Sequence, residues 1–412
     1  MNLSDPKSYL EKIEGVVEAK SYLNKLKLIK NLYIKGSNTA GEICQEVGIS
    51  LPTVNSLLQD LMQSGHILKQ GRAESQGGRK PDLYQLAEDT FYTISVEINK
   101  FRVRTAIYNC KNAQTSTPEI LKITLNNEKE TFDKIGDFIL EHQKKSGINS
   151  ERIIAIGISM PGLIDTINGI NHTYLKFGKK SLLENLETKL GKKVFLENDA
   201  RAMTLAEFKF GHKENYKNVL GIFIGWGIGL GIIMDGKIYQ GANGFAGEFS
   251  HSPLFESREI TCTCGKKGCL EAVASGLAMV RMAKEAIKVD TDSILARIVK
   301  ENNGELEPQT VVEAALAGDQ RAITILSEIG LDLGRGISML IQLLNPELII
   351  LGGTVAEAKH YLTTPIQQAL NIYCMAKSRE NTEISLNKLG REVGLLGGVA
   401  LVHEKLFADI LN

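Results

Sequence analysis

The chain has 412 residues, 43% hydrophobic and 23% charged, which excludes a disordered or fibrous protein and suggests roughly two or three domains. Lys plus Arg is 48 and Asp plus Glu is 48, so the formal charge is zero; a uniformly basic nucleic-acid coat is excluded, but a local basic patch is not. Six cysteines are too few for a disulfide framework and point to a reducing, cytoplasmic setting.

The first residues, Met1–Lys7, show no basic stretch leading into an apolar one, so no secretory signal is expected. Leu23, Leu26, Ile29, Leu32 and Tyr33 recur at helical spacing, and Gly36-Ser37-Asn38 reads as a loop. Thr39-Ala40-Gly41-Glu42 fits a capping box, so a helix should begin there and stop near Gly48. Ser50 is placed to cap the next helix, with Pro52 tolerated in its first turn. That helix carries Val54, Leu57, Leu58, Leu61 and Met62 on one face. His66–Gln70 and Asp82–Leu86 read as strands around a polar, glycine-rich loop, and a boundary falls near residue 89.

Two short helices followed by a ribbon form the winged helix-turn-helix pattern, so residues 1–89 are read as a DNA-binding head. The leucine face of the second helix turns inward, leaving Thr53, Asn55, Ser56 and Gln59 outward, with Ser50 at the helix start. Short polar side chains there reach base edges without a charge penalty. Over residues 20–80, nine basic and four acidic residues leave a charge of +5, which favours phosphates. Arg72, Arg79 and Lys80 belong to the expected basic wing. The bland alternative is a helical interaction domain with a solvated polar face.

Beyond residue 90 strands and helices alternate, the mark of an α/β fold. Tyr92–Ile98 and Arg102–Tyr108 suggest a hairpin, Asn127–Lys145 a helix, and Ile153–Ser159 a buried strand. Val194–Leu196 leads to Asn198-Asp199 at a strand end, where such folds place ligand groups, followed by a helix over Ala200–Phe210. Val219–Phe223 and Gly231–Met234 flank a glycine run, with Gly225, Gly227 and Gly229 suited to a loop whose N–H groups approach an anion. The whole stretch Val219–Met234 is 16 residues long, short of the about 20 apolar residues of a membrane helix, and no membrane insertion is expected. Leu348–Leu351 is a further strand.

Cys262, Cys264 and Cys269 lie within eight residues, and His251 precedes them. Three thiols and an imidazole complete a tetrahedral, closed zinc site that orders a loop and does no chemistry. A redox pair or unrelated thiols is the plain alternative, and hydrolytic zinc needs a free coordination position. Cys44, Cys110 and Cys374 read as ordinary buried thiols.

Gly241–His251 reads Gly-Ala-Asn-Gly-x-Ala-Gly-Glu-x-x-His, and Cys262–Glu271 reads Cys-x-Cys-Gly-x-x-Gly-Cys-x-Glu. With Pro161-Gly162, Asn198-Asp199, Asn345-Pro346-Glu347 and Leu351-Gly352-Gly353, residues 91–412 resemble the ROK family of sugar kinases and sugar-responsive repressors. The N-terminal head matches the repressor branch, whose members respond to N-acetylglucosamine, xylose or glucose. The resemblance implies a two-lobed, actin-like and hexokinase-like (ribonuclease H-like) ATPase fold behind the head. Residues 90–200, completed by 393–412, would form one lobe and 201–392 the other, with the zinc loop.

The resemblance further implies a sugar or sugar phosphate held by Asn198, Asp199, Glu248, His251 and Glu271, groups that donate and accept as hydroxyls require. In the family's kinases the aspartate matching Asp199 is the general base. The first phosphate motif of those kinases, Asp-x-Gly-Gly-Thr, stands here as Glu97-Ile98-Asn99-Lys100-Phe101, and Trp226 replaces the threonine of the second. The expectation is therefore a non-enzymatic, sugar-sensing regulator, a repressor that binds a double-stranded operator as a homodimer or a dimer of dimers. An ATP-dependent sugar kinase carrying a DNA-binding head is the alternative.

Overall fold

The computed structural model describes Leu3 and residues 6–73, 80–212, 216–255 and 257–409. The chain divides into two compact units, Met1–Glu197 with Leu395–Asn412, and Asn198–Gly394.

The first unit begins with helices α1 (Pro6–Glu11) and α2 (Val16–Lys35), strand β1 (Ser37–Thr39), helices α3 (Ala40–Val47) and α4 (Leu51–Gln63), and strands β2 (Ile67–Arg72) and β3 (Asp82–Leu86). The three strands pair in the order β1-β3-β2. Ser37–Thr39, expected as loop, is thus a strand, because β3 offers it an edge to pair with. The capping box at Thr39 is present: its hydroxyl accepts from Glu42 N–H at 3.3 Å, and Glu42 accepts from Thr39 N–H at 2.9 Å. The helix stops at Gly48, which is left-handed. Ser50 does sit at the start of α4, but its hydroxyl bonds Thr53 Oγ1 at 2.8 Å rather than the helix backbone. The expected cap bond is replaced by a side-chain pair that leaves both hydroxyls at the surface.

The core of this head is Tyr22, Leu26, Ile29, Leu32, Ile43, Val54, Leu57, Leu58 and Leu61. It is continuous with Phe91, Ile154, Phe195, Leu401, Val402 and Leu406. The head therefore shares one apolar cluster with the rest of its unit, including the chain's last helix.

The remainder of the first unit holds β4 (Tyr92–Ile98), β5 (Arg102–Asn109), β6 (Glu119–Lys122), α5 (Lys129–Lys145), β7 (Ile153–Met160), the short pair β8 (Ile164–Asp165) and β9 (Ile170–Asn171), α6 (Leu182–Leu190) and β10 (Val194–Asn198). Its sheet runs β10-β7-β4-β5-β6. β4 is antiparallel to β5 and parallel to β7. β7 is buried along its whole length, as strands covered on both faces are.

The second unit holds α7 (Asp199–Ala206), β11 (Val219–Ile224), β12 (Ile228–Met234), β13 (Lys237–Ile238), α8 (Leu270–Ala274), α9 (Gly276–Val289), α10 (Ile294–Glu301), α11 (Pro308–Leu316), α12 (Gln320–Leu344), β14 (Leu348–Gly352), α13 (His360–Tyr373), α14 (Ala376–Arg379) and β15 (Glu383–Leu386), and it hands the chain to α15 (Val393–Asp409). Its sheet runs β13-β12-β11-β14-β15, with β11 antiparallel to β12 and parallel to β14. Counted along the chain, each five-stranded sheet places its strands third, second, first, fourth, fifth. The unit repeats, and this order is that of the ribonuclease H-like sheet.

Two expected boundaries differ. The helix after Asn198-Asp199 ends at Ala206 and passes into a wider turn over Glu207–Gly211. There Glu207, fully buried, accepts from Leu389 N–H at 2.9 Å and Lys388 N–H at 3.1 Å. The strand expected from Gly231 begins earlier, at Ile228, so that Gly229 as well as Gly231 lies inside β12. A Cβ on Gly229 would stand 2.4 Å from Ala200 Cβ, and one on Gly231 2.1 Å from Thr204 Oγ1. Both glycines let α7 lie close on the strand; only Gly225 and Gly227 remain in the turn.

Candidate functional site

β10 ends at Asn198, whose side-chain oxygen accepts from Arg201 N–H at 3.3 Å and so caps α7. Asp199 is the first helical residue, and its Oδ1 accepts from Ala200 N–H at 2.8 Å. Both side chains are thus fixed at a helix start, where partial positive charge favours acceptors.

Arg201, buried in the same helix, donates from Nη1 to the carbonyl of Gly244. It thereby holds the Gly241–Glu248 loop against α7, and its charge acts on the Glu248 carboxylate. Sequence reasoning missed this residue. Its signal was the one cation in a short helix whose residues after Asp199 are mostly small or apolar.

Glu248 opens a 3-10 turn that ends at His251. Residues three apart eclipse in such a turn, so His251 Nε2 lies 3.9 Å from Glu248 Oε2. The Glu248 side chain is 47% exposed, yet crowding by the surrounding protein raises its pKa, with His251 and Arg201 opposing the rise.

Past His251 the chain makes the cysteine loop. Cys262 N–H donates to Lys266 O at 2.8 Å, closing a tight turn. His251 Nδ1 lies 3.5 Å from Cys262 Sγ, and Cys264 Sγ lies 3.6 Å from Cys269 Sγ. One donor atom from each of His251, Cys262, Cys264 and Cys269 falls within 4.8 Å of the other three, an arrangement able to hold a metal ion. Burial, reinforced by the neighbouring thiols, pushes the Cys269 thiol up to about 12. Crowded thiolates repel one another unless a cation joins them. Glu271, at the start of α8, turns one carboxylate oxygen toward this cluster, 3.9 Å from His251 Nδ1. Cys110 is buried as expected, whereas Cys44 and Cys374 are half-buried.

In the head, Ser50, Thr53, Asn55, Ser56, Gln59, Arg72 and Lys80 are all exposed; Arg79 lies outside the described residues. Three of the counted lysines are paired with carboxylates: Lys25 with Asp60 at 3.0 Å, Lys35 with Glu46 at 3.1 Å and Lys69 with Asp82 at 2.7 Å. Among the described residues no helix is long and apolar enough to cross a membrane.

A helix-pair head with a β-ribbon, a sheet order repeated in two units and a loop of one histidine and three cysteines beside acidic residues together define a regulator-like chain built on the actin-like sugar-kinase fold. Residues 93–405 match the ROK family, and the chain belongs to it. It is 27% identical over 383 residues to the xylose repressor of Caldicellulosiruptor bescii, covering 92% of this chain and 95% of that one. It is 36% identical over 269 residues to a glucokinase of Halalkalibacterium halodurans, covering 64% and 79%. A crystal structure of a ROK family transcriptional regulator, homologous to the E. coli Mlc protein, superposes with a TM-score of 0.78 at 25% identity, over 95% of this chain and 98% of that one. The repressor and the regulator thus span nearly the full chain, head included, whereas the glucokinase spans part of it.

Proposed function

We propose that this protein is a sugar-responsive, DNA-binding transcriptional repressor of carbohydrate uptake or catabolism genes. The observation that carries this reading is the joining of a winged helix-turn-helix head to a ROK body in one chain, 92% of which matches a xylose repressor. Thr53, Asn55, Ser56 and Gln59 on α4 would read base edges in the major groove, with Ser50 at the helix start, while Arg72, Arg79 and Lys80 neutralise phosphates. Two heads on a palindromic operator require at least a homodimer, or a dimer of dimers, acting in the cytoplasm.

The effector is a sugar or sugar phosphate held by Asn198, Asp199, Glu248, His251 and Glu271. Arg201 keeps the Glu248 loop in register with Asn198 and Asp199. His251, Cys262, Cys264 and Cys269 would hold one structural zinc. Tetrahedral zinc with thiolate bonds near 2.3 Å spaces sulfurs by about 3.8 Å and a nitrogen from a sulfur by about 3.6 Å. The 3.6 Å and 3.5 Å separations found here fit that geometry. Zinc bound there supplies order; His251 then presents Nε2 toward Glu248 with its ring fixed.

Catalysis is not part of this reading. Phosphoryl transfer requires groups that cradle phosphate and metal. In the turn between β4 and β5 stand Asn99, Lys100 and Phe101, with Phe101 exposed and the Lys100 amine 5.4 Å from its ring centre. The 36% identity to a glucokinase favours sugar kinase as the second reading.

The test uses the purified full chain and its own promoter DNA. Binding should weaken with salt, and one member of a panel of sugars and sugar phosphates should weaken it about 5–150-fold. A coupled ADP-release assay on the same panel should stay at background. Absence of salt-sensitive operator binding defeats the proposal; steady turnover abolished by Asp199→Asn establishes the kinase.

A further inference from the structure

The turn joining β11 to β12 is fastened from two sides by the segment that follows the cysteines. Gly225 O accepts from Gly276 N–H at 2.9 Å, and Trp226 O accepts from Leu277 N–H at 3.1 Å. These donors belong to the first turn of α9, where N–H groups have no partner inside their own helix. On the other side, Glu271 Oε2 accepts from Ile228 N–H at 3.2 Å. The same oxygen fills the space beside Gly227, where an added Cβ would approach it to 2.7 Å. The second oxygen, Oε1, lies 3.3 Å from Thr263 Oγ1 and 3.9 Å from Cys262 Sγ. One carboxylate therefore touches the metal-holding loop with one oxygen and the β11–β12 turn with the other.

We propose that Glu271 is a positioning residue, a latch that transmits the state of the cysteine loop to the β11–β12 turn, and that Gly227 is glycine in order to admit it. Glycine at this turn suggests an open anion-binding loop. Here the Ile228 N–H is already engaged by a carboxylate of the same chain, and that negative charge repels a phosphate. The turn's freedom is spent on communication within the protein. Trp226, the chain's single tryptophan, sits in the middle of the latched turn and is 37% exposed. It reports the latch directly. When the loop is ordered, Glu271 holds the turn and the indole keeps its surroundings; when the loop relaxes, the hold is lost and the indole meets more water.

The latch rests on the metal reading of the cluster, but on neither DNA nor sugar binding. The experiment follows tryptophan emission of the full chain, zinc-loaded and after chelation, with released zinc measured by a chromophoric chelator. Chelation should release zinc and shift the emission to the red. Glu271→Gln keeps an acceptor for Ile228 N–H and should emit like the parent. Glu271→Met has similar bulk without that acceptor and should be red-shifted while zinc is still bound. Gly227→Ala, which displaces the carboxylate, should behave like Glu271→Met. Equal emission from the Gln and Met variants overturns the latch, because a space-filling role would make them alike. Metal release without any change in emission overturns it too. If the chain takes up no zinc, the reading of the cluster fails, and the Gln and Met pair still decides the latch.

Discussion

Replacing Tyr33 by Phe should loosen the head from the rest of its unit without unfolding either. Tyr33 lies on α2, and its hydroxyl donates to Asn112 Oδ1 at 3.1 Å. It also meets His403 Nδ1, from α15, and His403 Nε2 lies 3.4 Å from Thr93 Oγ1 on β4. One donor order satisfies every group: Thr93 O–H to Nε2, Nδ1–H to Tyr33, Tyr33 O–H to Asn112. His403 is 4% exposed and Thr93 is fully buried, so water does not stand in for the lost hydroxyl there. Depriving a buried polar group of its partner costs about 1–3 kcal/mol. The ring survives the change and keeps its contacts, 4.4 Å between centroids to His403 and 6.1 Å to Phe91, so no cavity adds to that figure. Urea denaturation followed by circular dichroism should show a lower midpoint with an unchanged slope. Amide exchange in α2 should quicken by the matching factor. Paired with His403→Leu, the change should be strongly non-additive, by about 0.5–3 kcal/mol. A loss below about 0.5 kcal/mol, within the range of ordinary surface changes, or simple additivity with His403→Leu, refutes the reasoning.

Two further outcomes concern local structure. Thr39→Ala removes one half of the capping box and should cost about 1 kcal/mol of head stability, read by thermal unfolding. Bonds from Thr39, backbone first and then hydroxyl, lower the Glu42 pKa. That contribution is therefore present above the ordinary carboxylate pKa and is lost as pH falls through the lowered value; the alanine variant should lose only the hydroxyl's share of it, because its backbone N–H still donates to Glu42. Burial raises the pKa of Glu207, opposed by Leu389 and Lys388 N–H. The folded state then holds a proton that the unfolded state has released, so stability should fall as pH rises above the ordinary glutamate value of 4.5. Glu207→Gln should remove that slope from a pH series of denaturation midpoints, and an unchanged slope would assign it elsewhere.

The parts legible in the amino-acid order are those held by local chemistry. Thr39 and Glu42 announce their helix because both halves of the box lie within one turn. The stripe Val54, Leu57, Leu58, Leu61 announces which face of α4 is buried, and therefore which polar residues point out. The donors able to hold a metal are recognisable because thiols are rare and Cys262, Cys264 and Cys269 fall together. What stayed hidden depends on distant partners. Ser37–Thr39 is a strand only because β3, some 45 residues on, supplies the edge. Gly229 resembles a turn glycine until α7 is laid over it. Arg201 has no motif; its role is visible only once Gly244 is brought to it. The motif marks Glu271 as a candidate sugar ligand, but its bond to Ile228 N–H is not legible there, since it joins residues 43 apart.

The apolar cluster that unites the head with Leu401, Val402 and Leu406 also sets an order of events during synthesis. The head leaves the ribosome well before α15, the helix that completes its support. At about 5–20 residues per second, the wait between them is on the order of tens of seconds. During that interval a nascent chain carries a helix-turn-helix whose inner face lacks Leu401, Val402 and Leu406 and whose Tyr33 has no His403. Firm seating of the head is thereby deferred until α15 has been made, so a chain terminated before it would carry a head without this apolar anchor.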